Sequence, residues 1–596
     1  MMLILERNPA ILMKILSLSF SLALLVLTSA SSLLVYSLHA TPPPRQLFPK
    51  FETPGSELQP VAYAKTIPLP SLIQKLQSLA NEVQPQNNQA QLLPVLIGAF
   101  LGDPTLSSVS PDHSSTVIIF DDFQEKNATI LGVFKLNPNS SIPAQIKAQR
   151  LSVKEIDGWT MVTNKPKLIK QIKDWSSIIR FADWKPPATI EFGWLLEKLN
   201  EDISVQINKK EISPDPKLVI KLFLKEFENL EAIKFSLSIL EKEVVLNLKA
   251  SARDGTELDK LFTSLPPSQN IKRENGVSQF VQSGGWMEGV MNLNVSSHAS
   301  YLEHLLVKLE KGLKDKEVKQ LVSSVLSMVR KATTLYSGHT ATSYLDLGDG
   351  DPLGYVQVGS TEASIADFKD FLAETNAFFE QFLVQIETLS GSDSSDFKPN
   401  FLVKKANPID GTEVLFVKVN LEPETKGSNI SSFSNQSVYY CVHDGKYIAA
   451  TSRKALRKTL RAVKLGKPLK NNLSKKIILG SQHAVAWQLD LLGYGELIGN
   501  VLKESGLNLS HWTQAIDQAE KMNIPPISGN VGHGNGQYFL ETIIPVKTIR
   551  AITELGSPAY IKKANEIREK SNAREAKESL SPDSGKSKKQ KAPSKN

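Results

Sequence analysis

Two stretches of this chain, one centred on Gly158 and the other on Gly445, carry the same design. In the first, Leu151, Val153 and Ile156 lead into Asp157-Gly158, then Trp159 to Thr163, then an apolar-periodic run from Pro166 to Trp175. In the second, Val438 to His443 leads into Asp444-Gly445, then Tyr447 to Ala450, then Arg453 to Val463 with Leu456 and Leu460 on one face. Asp-Gly between two β-patterned runs favours a tight hairpin, because both central residues of that turn take positive φ. Thr163-Asn164 and Thr451-Ser452 follow the hairpins, and their side chains suit a helix N-cap. Each stretch predicts a hairpin and then a helix.

Three further units pair off in the same order. Val117 to Phe120 with Ile130 to Phe134 matches the hairpin from Tyr344 to Val358. Ala188 to Phe192 followed by Trp194 to Leu199 matches Ala484 to Leu489 followed by Leu491 to Leu502, a strand and then a helix. Ile233 to Ile239 alternates cleanly, Val244, Leu246 and Leu248 return, and Leu258, Leu261, Phe262 and Leu265 repeat at helical spacing. Their counterparts are Ile527 to Ile543 and Pro545 to Leu555. The expectation is an internal duplication, roughly residues 115–265 and 341–556, in an α+β fold. Each half is read as an antiparallel sheet backed by helices. The halves are joined by long helices, Tyr301 to Leu335, broken near Gly312, with Thr361 to Leu389 as another.

The flanks read differently. Lys14 is followed by Ile15 to Leu38 without a charge, with small residues at Thr28 to Ala30 and at Ala40. This is a signal peptide or, if uncleaved, a membrane anchor over residues 1–40, with Met1 or Met13 as the start. Thr41 to Ala64 is Pro-rich and reads as a tether, and Ser71 to Phe100 as largely helical. The organisation expected is therefore a first half over 65–300, a helical connector over 301–340, a second half over 341–558 and a tail over 559–596. That tail holds eleven Lys and Arg against five Asp and Glu, which accounts for most of the net charge of +8. It predicts a disordered segment with weak electrostatic contact to an anionic surface. The nearly neutral body lacks the basic face of a nucleic-acid-binding fold, so nucleic acid is not an expected partner. The chain is expected to be exported to periplasm, cell surface or medium, touching membrane only through its N-terminal segment.

The repeated module, from Asp157-Gly158 to Ile172 and from Asp444-Gly445 to Leu460, behind an export signal and a Pro-rich tether, resembles bacterial secreted or cell-envelope proteins of a domain-of-unknown-function class. The resemblance implies an envelope location and an α+β fold. It implies no catalytic residues.

No catalytic, cofactor-binding or metal residues emerge from the motifs, and no cofactor is expected. The nine histidines include no pair at metal spacing, and the single Cys441 excludes a disulfide framework and a thiolate zinc cage. Asp346, Asp349, Gly350 and Asp351 lack the closing Glu of a calcium loop, so Asp349-Gly350 reads as a hairpin turn. Gly529, Gly532, Gly534 and Gly536 lack the phosphate-binding spacing, and Asn535-Gly536 reads as a turn. Asp112-His113 and Asp121-Asp122 read as solvated strand-end residues, and Cys441 as a core residue. The expected function is non-catalytic, as a structural or interaction protein with an envelope partner. The alternatives are a binding protein holding an apolar ligand or glycan between sheet and helices, and an unrecognised hydrolase.

Overall fold

The computed structural model describes residues 60–84, 106–120, 129–138, 142–148, 151–195, 228–264, 276–345, 354–390, 400–420, 435–477, 483–504 and 510–555, with isolated positions between them. The strands of the first half are β1 (Pro60–Pro68), β2 (Ser114–Phe120), β3 (Thr129–Lys135), β4 (Ser152–Ile156), β5 (Trp159–Thr163), β6 (Ile190–Leu195), β7 (Leu230–Ile239) and β8 (Glu243–Ala252). Those of the second are β9 (Met287–Asn292), β10 (His339–Tyr344), β11 (Tyr355–Ser360), β12 (Asn400–Ile409), β13 (Thr412–Asn420), β14 (Asn435–His443), β15 (Lys446–Ala450), β16 (His483–Leu489), β17 (Ile527–Gly534) and β18 (Gln537–Pro545).

All eighteen belong to one antiparallel sheet. The strand pairings place the first half in the order β4-β5-β3-β2-β1-β6-β7-β8. The second half runs β14-β15-β11-β10-β9-β16-β17-β18, with the hairpin β12–β13 added outside β14. The two orders are the same. Strands β8 and β18, which are equivalent, pair with each other and fuse the two sheets.

Register makes the relation residue-specific. From the Asp-Gly turns, Met161 corresponds to Ile448. Following cross-strand partners inward, Met161 leads through Val133, Thr116, Lys65, Glu191 and Ser236 to Asn247. Ile448 leads through Val358, Ala341, Val290, Ala486 and Asn530 to Glu541. Asn247 and Glu541 are themselves partners. A pseudo-twofold axis therefore passes between them, the arrangement of an isologous dimer written into one chain.

The helices follow the same plan. In the first half they are α1 (Leu69–Val83), α2 (Ile142–Ala148), α3 (Pro166–Gln171), α4 (Trp175–Asp183) and α5 (Glu257–Thr263). In the second they are α6 (Val295–Gly312), α7 (Lys316–Leu335), α8 (Ile365–Ser390), α9 (Arg453–Lys464), α10 (Leu491–Glu504), α11 (Ser510–Met522) and α12 (Val546–Leu555). The single helix α1 after β1 has become the pair α6–α7 after β9. Helix α5 packs on α6 and, reciprocally, α12 packs on α1, so each half's last helix rests on the other half's first. Side-chain caps start several of them: Thr256 accepts from Asp259 N–H, Asp174 from Ser176 N–H and Ser452 from Ala455 N–H.

One sheet face carries two apolar clusters. Ile118, Leu131, Val133 and Met161 pack under α3 and α4, and Val290, Ala341, Val358 and Ile448 under α9. On the opposite face, α7 and α8 cover Leu415 and Tyr447, and α5 covers Ala250 and Ala252.

Several sequence expectations move. Residues 60–64, read as tether, form part of β1, because Ala62 to Lys65 pair on both sides, with β2 and with β6. Helix α1 ends at Val83. The Pro166–Trp175 run is two helices, separated where Asp174 caps the second. Trp194 lies in β6. The break near Gly312 is present, but α6 and α7 do not join the halves: they connect the adjacent strands β9 and β10 within the second half. The hairpin β12–β13 was not anticipated. Residues 1–40, the tail 559–596, Asp121-Asp122 and Asp346 to Asp351 lie outside the described residues. Among the described residues, no helix is long and apolar enough to cross a membrane.

Candidate functional site

The layer over the first apolar face has a gap. Helices α3 and α4 roof the outer strands of the first half and α9 those of the second, so the six strands around the pseudo-twofold axis carry less cover on that side. A groove of about 510 Å³ opens there. Its floor is Asn247, Asn530, Glu541 and Ser528 interleaved with the apolar Val245, Ala486 and Ile543, with Ser238 and Glu243 on one side and Lys476 and Gln488 on the other. The row that begins as Met161 or Ile448 in the cores thus ends in polar residues at the axis.

Behind the Lys476 wall sits Glu288, fully buried. Its Oε1 accepts from the N–H groups of Gly284 (2.6 Å) and Gly285 (3.1 Å) and from the Ser343 hydroxyl (3.3 Å), and Oε2 accepts from Gln488. Lys476 Nζ is 3.6 Å away. Gly285 is required by space, since a Cβ there would lie 2.2 Å from the Tyr344 carbonyl oxygen.

On the first half's side of the axis the same face holds a buried ion cluster. Glu191 is fully buried, accepts from the Tyr63 hydroxyl at 2.7 Å and lies 2.6 Å from Lys234 Nζ. Lys65, also fully buried, donates to the carbonyls of Phe181 and Ala182 at the end of α4. The ammonium groups of Lys65 and Lys234 each stand 5.1 Å from the Trp184 ring. Burial pulls the Lys65 ammonium down to about 7 against the opposing attraction of Glu191. Burial, reinforced by Glu191, raises the Tyr63 phenol above its ordinary range. Titratable groups converge here, but the carboxylate and Lys65 are sealed from solvent.

Several residues weighed from sequence have defined packing or hydrogen-bonding surroundings. His113 bonds Ser110 Oγ through Nδ1 at 2.9 Å and packs edge-on against Trp159. Cys441 is fully buried, and burial pushes its thiol up to about 12. Asn535 and Gly536 take φ of 53° and 75°, as a primed hairpin turn needs. Among the described residues no three His, Cys, Asp or Glu side chains gather as metal ligands. The sequence missed Glu191 and Glu288 because each reads as an ordinary polar position in an alternating strand. A carboxylate on the inward phase of such a strand was the available signal. The chain matches no protein-family model, no curated protein and no solved structure.

Proposed function

We propose that the chain is an exported cell-envelope protein with a non-catalytic, interaction role, and that the groove on the pseudo-twofold axis is its binding surface for an extended polar chain, a glycan above all. The observation that carries this reading is the groove itself: its volume lies in the ~300–1,000 Å³ range of ligand sites, and its floor offers amide, hydroxyl and carboxylate groups. Val245, Ile477, Ala486 and Ile543 lie among those polar groups, so the lining suits a ligand with both hydrogen-bonding and apolar faces, as a sugar ring has. A smaller pocket in the phase of the opposite sheet face, lined by Met287, Met291, Thr342 and Trp487 among others, holds about 20 Å³, room for roughly one water.

Calorimetric titration of the protein with oligosaccharides tests the binding role. Ser528→Trp, which sets an indole into the groove, should weaken any bound oligosaccharide more than tenfold while leaving thermal unfolding unchanged; equal affinity would place binding elsewhere. Fractionation of a secretion-competent host tests export, and full-length chain in the cytosol would overturn it.

A further inference from the structure

Lys249 lies two residues along β8 from Asn247, on the groove's side of the sheet and just beyond the end of its lining. It is cross-strand neighbour to Lys234. Lys234 is engaged with Glu191, whereas Lys249 makes no hydrogen bond or ion pair with any described residue. Burial, and then the like charge of Lys234, disfavours its ammonium, while Glu191 and Glu541 act in its favour. An ammonium partly withdrawn from water beside a like charge is stabilised by an arriving anion.

The pseudo-symmetry shows that the fold does not require this lysine. Counting two residues from the Asn247–Glu541 pair, Lys249 corresponds to Ile543, and Lys234 to Ser528. The same two positions in the second half are filled without charge. A basic end has therefore been placed on one side of the axis only, next to Asn247 and Glu541 of the groove floor.

We infer that Lys249 anchors an anionic group, a carboxylate or a phosphate, carried on the polar chain that occupies the groove. This rests on the groove reading above and specifies its ligand class as an acidic polymer. The site would hold the anion by a charge-assisted hydrogen bond from Nζ, with the rest of the chain crossing the axis over Asn247 and Asn530.

The test uses the full chain and three oligomers of equal length: a neutral hexasaccharide, a hexauronate and a glycerol phosphate oligomer. The uronate or the phosphate oligomer should bind tighter than the neutral one, and the better of the two identifies the anion. Lys249→Met should weaken that oligomer at least about tenfold and leave the neutral one unchanged, and Lys249→Arg should retain most of the affinity. The unfolding midpoint of Lys249→Met should not fall, which excludes a folding defect as the cause. Full-strength anion binding by Lys249→Met overturns the inference. Binding of the neutral oligomer with no anionic preference also overturns it but leaves the groove reading standing, whereas binding of none of the three rejects both.

Discussion

Lys65 and Glu191 in the first half occupy the positions that Val290 and Ala486 occupy in the second, on the same strands and in the same register. One pair is a buried lysine and glutamate under Trp184, the ammonium held by the Phe181 and Ala182 carbonyls and the carboxylate by Lys234 and Tyr63, and the other is part of an apolar core under α9. Equivalent backbone thus tolerates opposite chemistry. The difference teaches that the sheet's geometry does not depend on either solution. What each solution supplies is a set of partners for the charged groups it buries. Tyr63 and Glu288 repeat the lesson. They are equivalent positions, and each is satisfied by a different set: a carboxylate for the phenol, two backbone amides, a hydroxyl and an amide for the carboxylate.

The comparison is broken most decisively by Glu191→Leu. Removing the carboxylate leaves Lys234 and Lys65 buried without their counter-charge, and the expected cost is about 3–5 kcal/mol, read from denaturant unfolding. The triple variant Lys65→Val, Glu191→Ala and Lys234→Ser, which copies the second half at all three positions, should recover much of that loss. Recovery that fails to appear would mean the two halves do not share one set of packing rules.

Glu288→Gln is the matching change in the second half. A glutamine Oε1 can still accept from the two glycine N–H groups, but its NH2 would face the Gln488 amide donor and the Lys476 ammonium, so about 1.5–3 kcal/mol should be lost. A cost equal to that of Glu191→Leu would show that Glu288 depends on Lys476 more than on the glycine amides.

The turns offer a symmetric control. Gly158 and Gly445 sit at φ of 77° and 65°, where an L side chain is disfavoured by ~1–2 kcal/mol. Gly158→Ala and Gly445→Ala should each cost about that much. Costs that differ widely would mean the two hairpins are not equally tied to their sheets.

The halves should also differ in the window of their pH dependence. Lys65 is held near 7 by burial, below the ordinary lysine range, so the unfolded chain binds more protons above pH 7 and stability should rise with pH from there. His533, buried beside His298, is pulled down to about 4. The unfolded chain then binds the extra proton between about pH 6.5 and 4, so stability should fall as pH drops through that range. Melting temperatures of Lys65→Met and His533→Phe, measured from pH 4 to 9, should each lack one slope and keep the other.

Much of this fold was legible in the chain. Asp157-Gly158 and Asp444-Gly445 mark hairpins because their φ requirement is local, and the helices after them follow from caps and apolar spacing a few residues long. The order of the modules, and hence the duplication, could be read for the same reason. By contrast, Pro60 to Ala64 looks like tether because proline and alanine are weak strand formers; only pairing with Phe120 and Trp194, far along the chain, makes it the central strand of its half.

The candidate site belongs wholly to that second category. The Glu191 cluster joins Tyr63, Lys65, Phe181 and Lys234, and the Glu288 site joins Gly284, Ser343, Lys476 and Gln488, all brought together by sheet order. Local propensity determined where strands turn and helices begin. The meeting of β8 with β18 decided where the axis falls, which rows are roofed and which polar residues face the groove, because cross-strand register is a property of strands separated by hundreds of residues and leaves no mark on any short stretch of sequence.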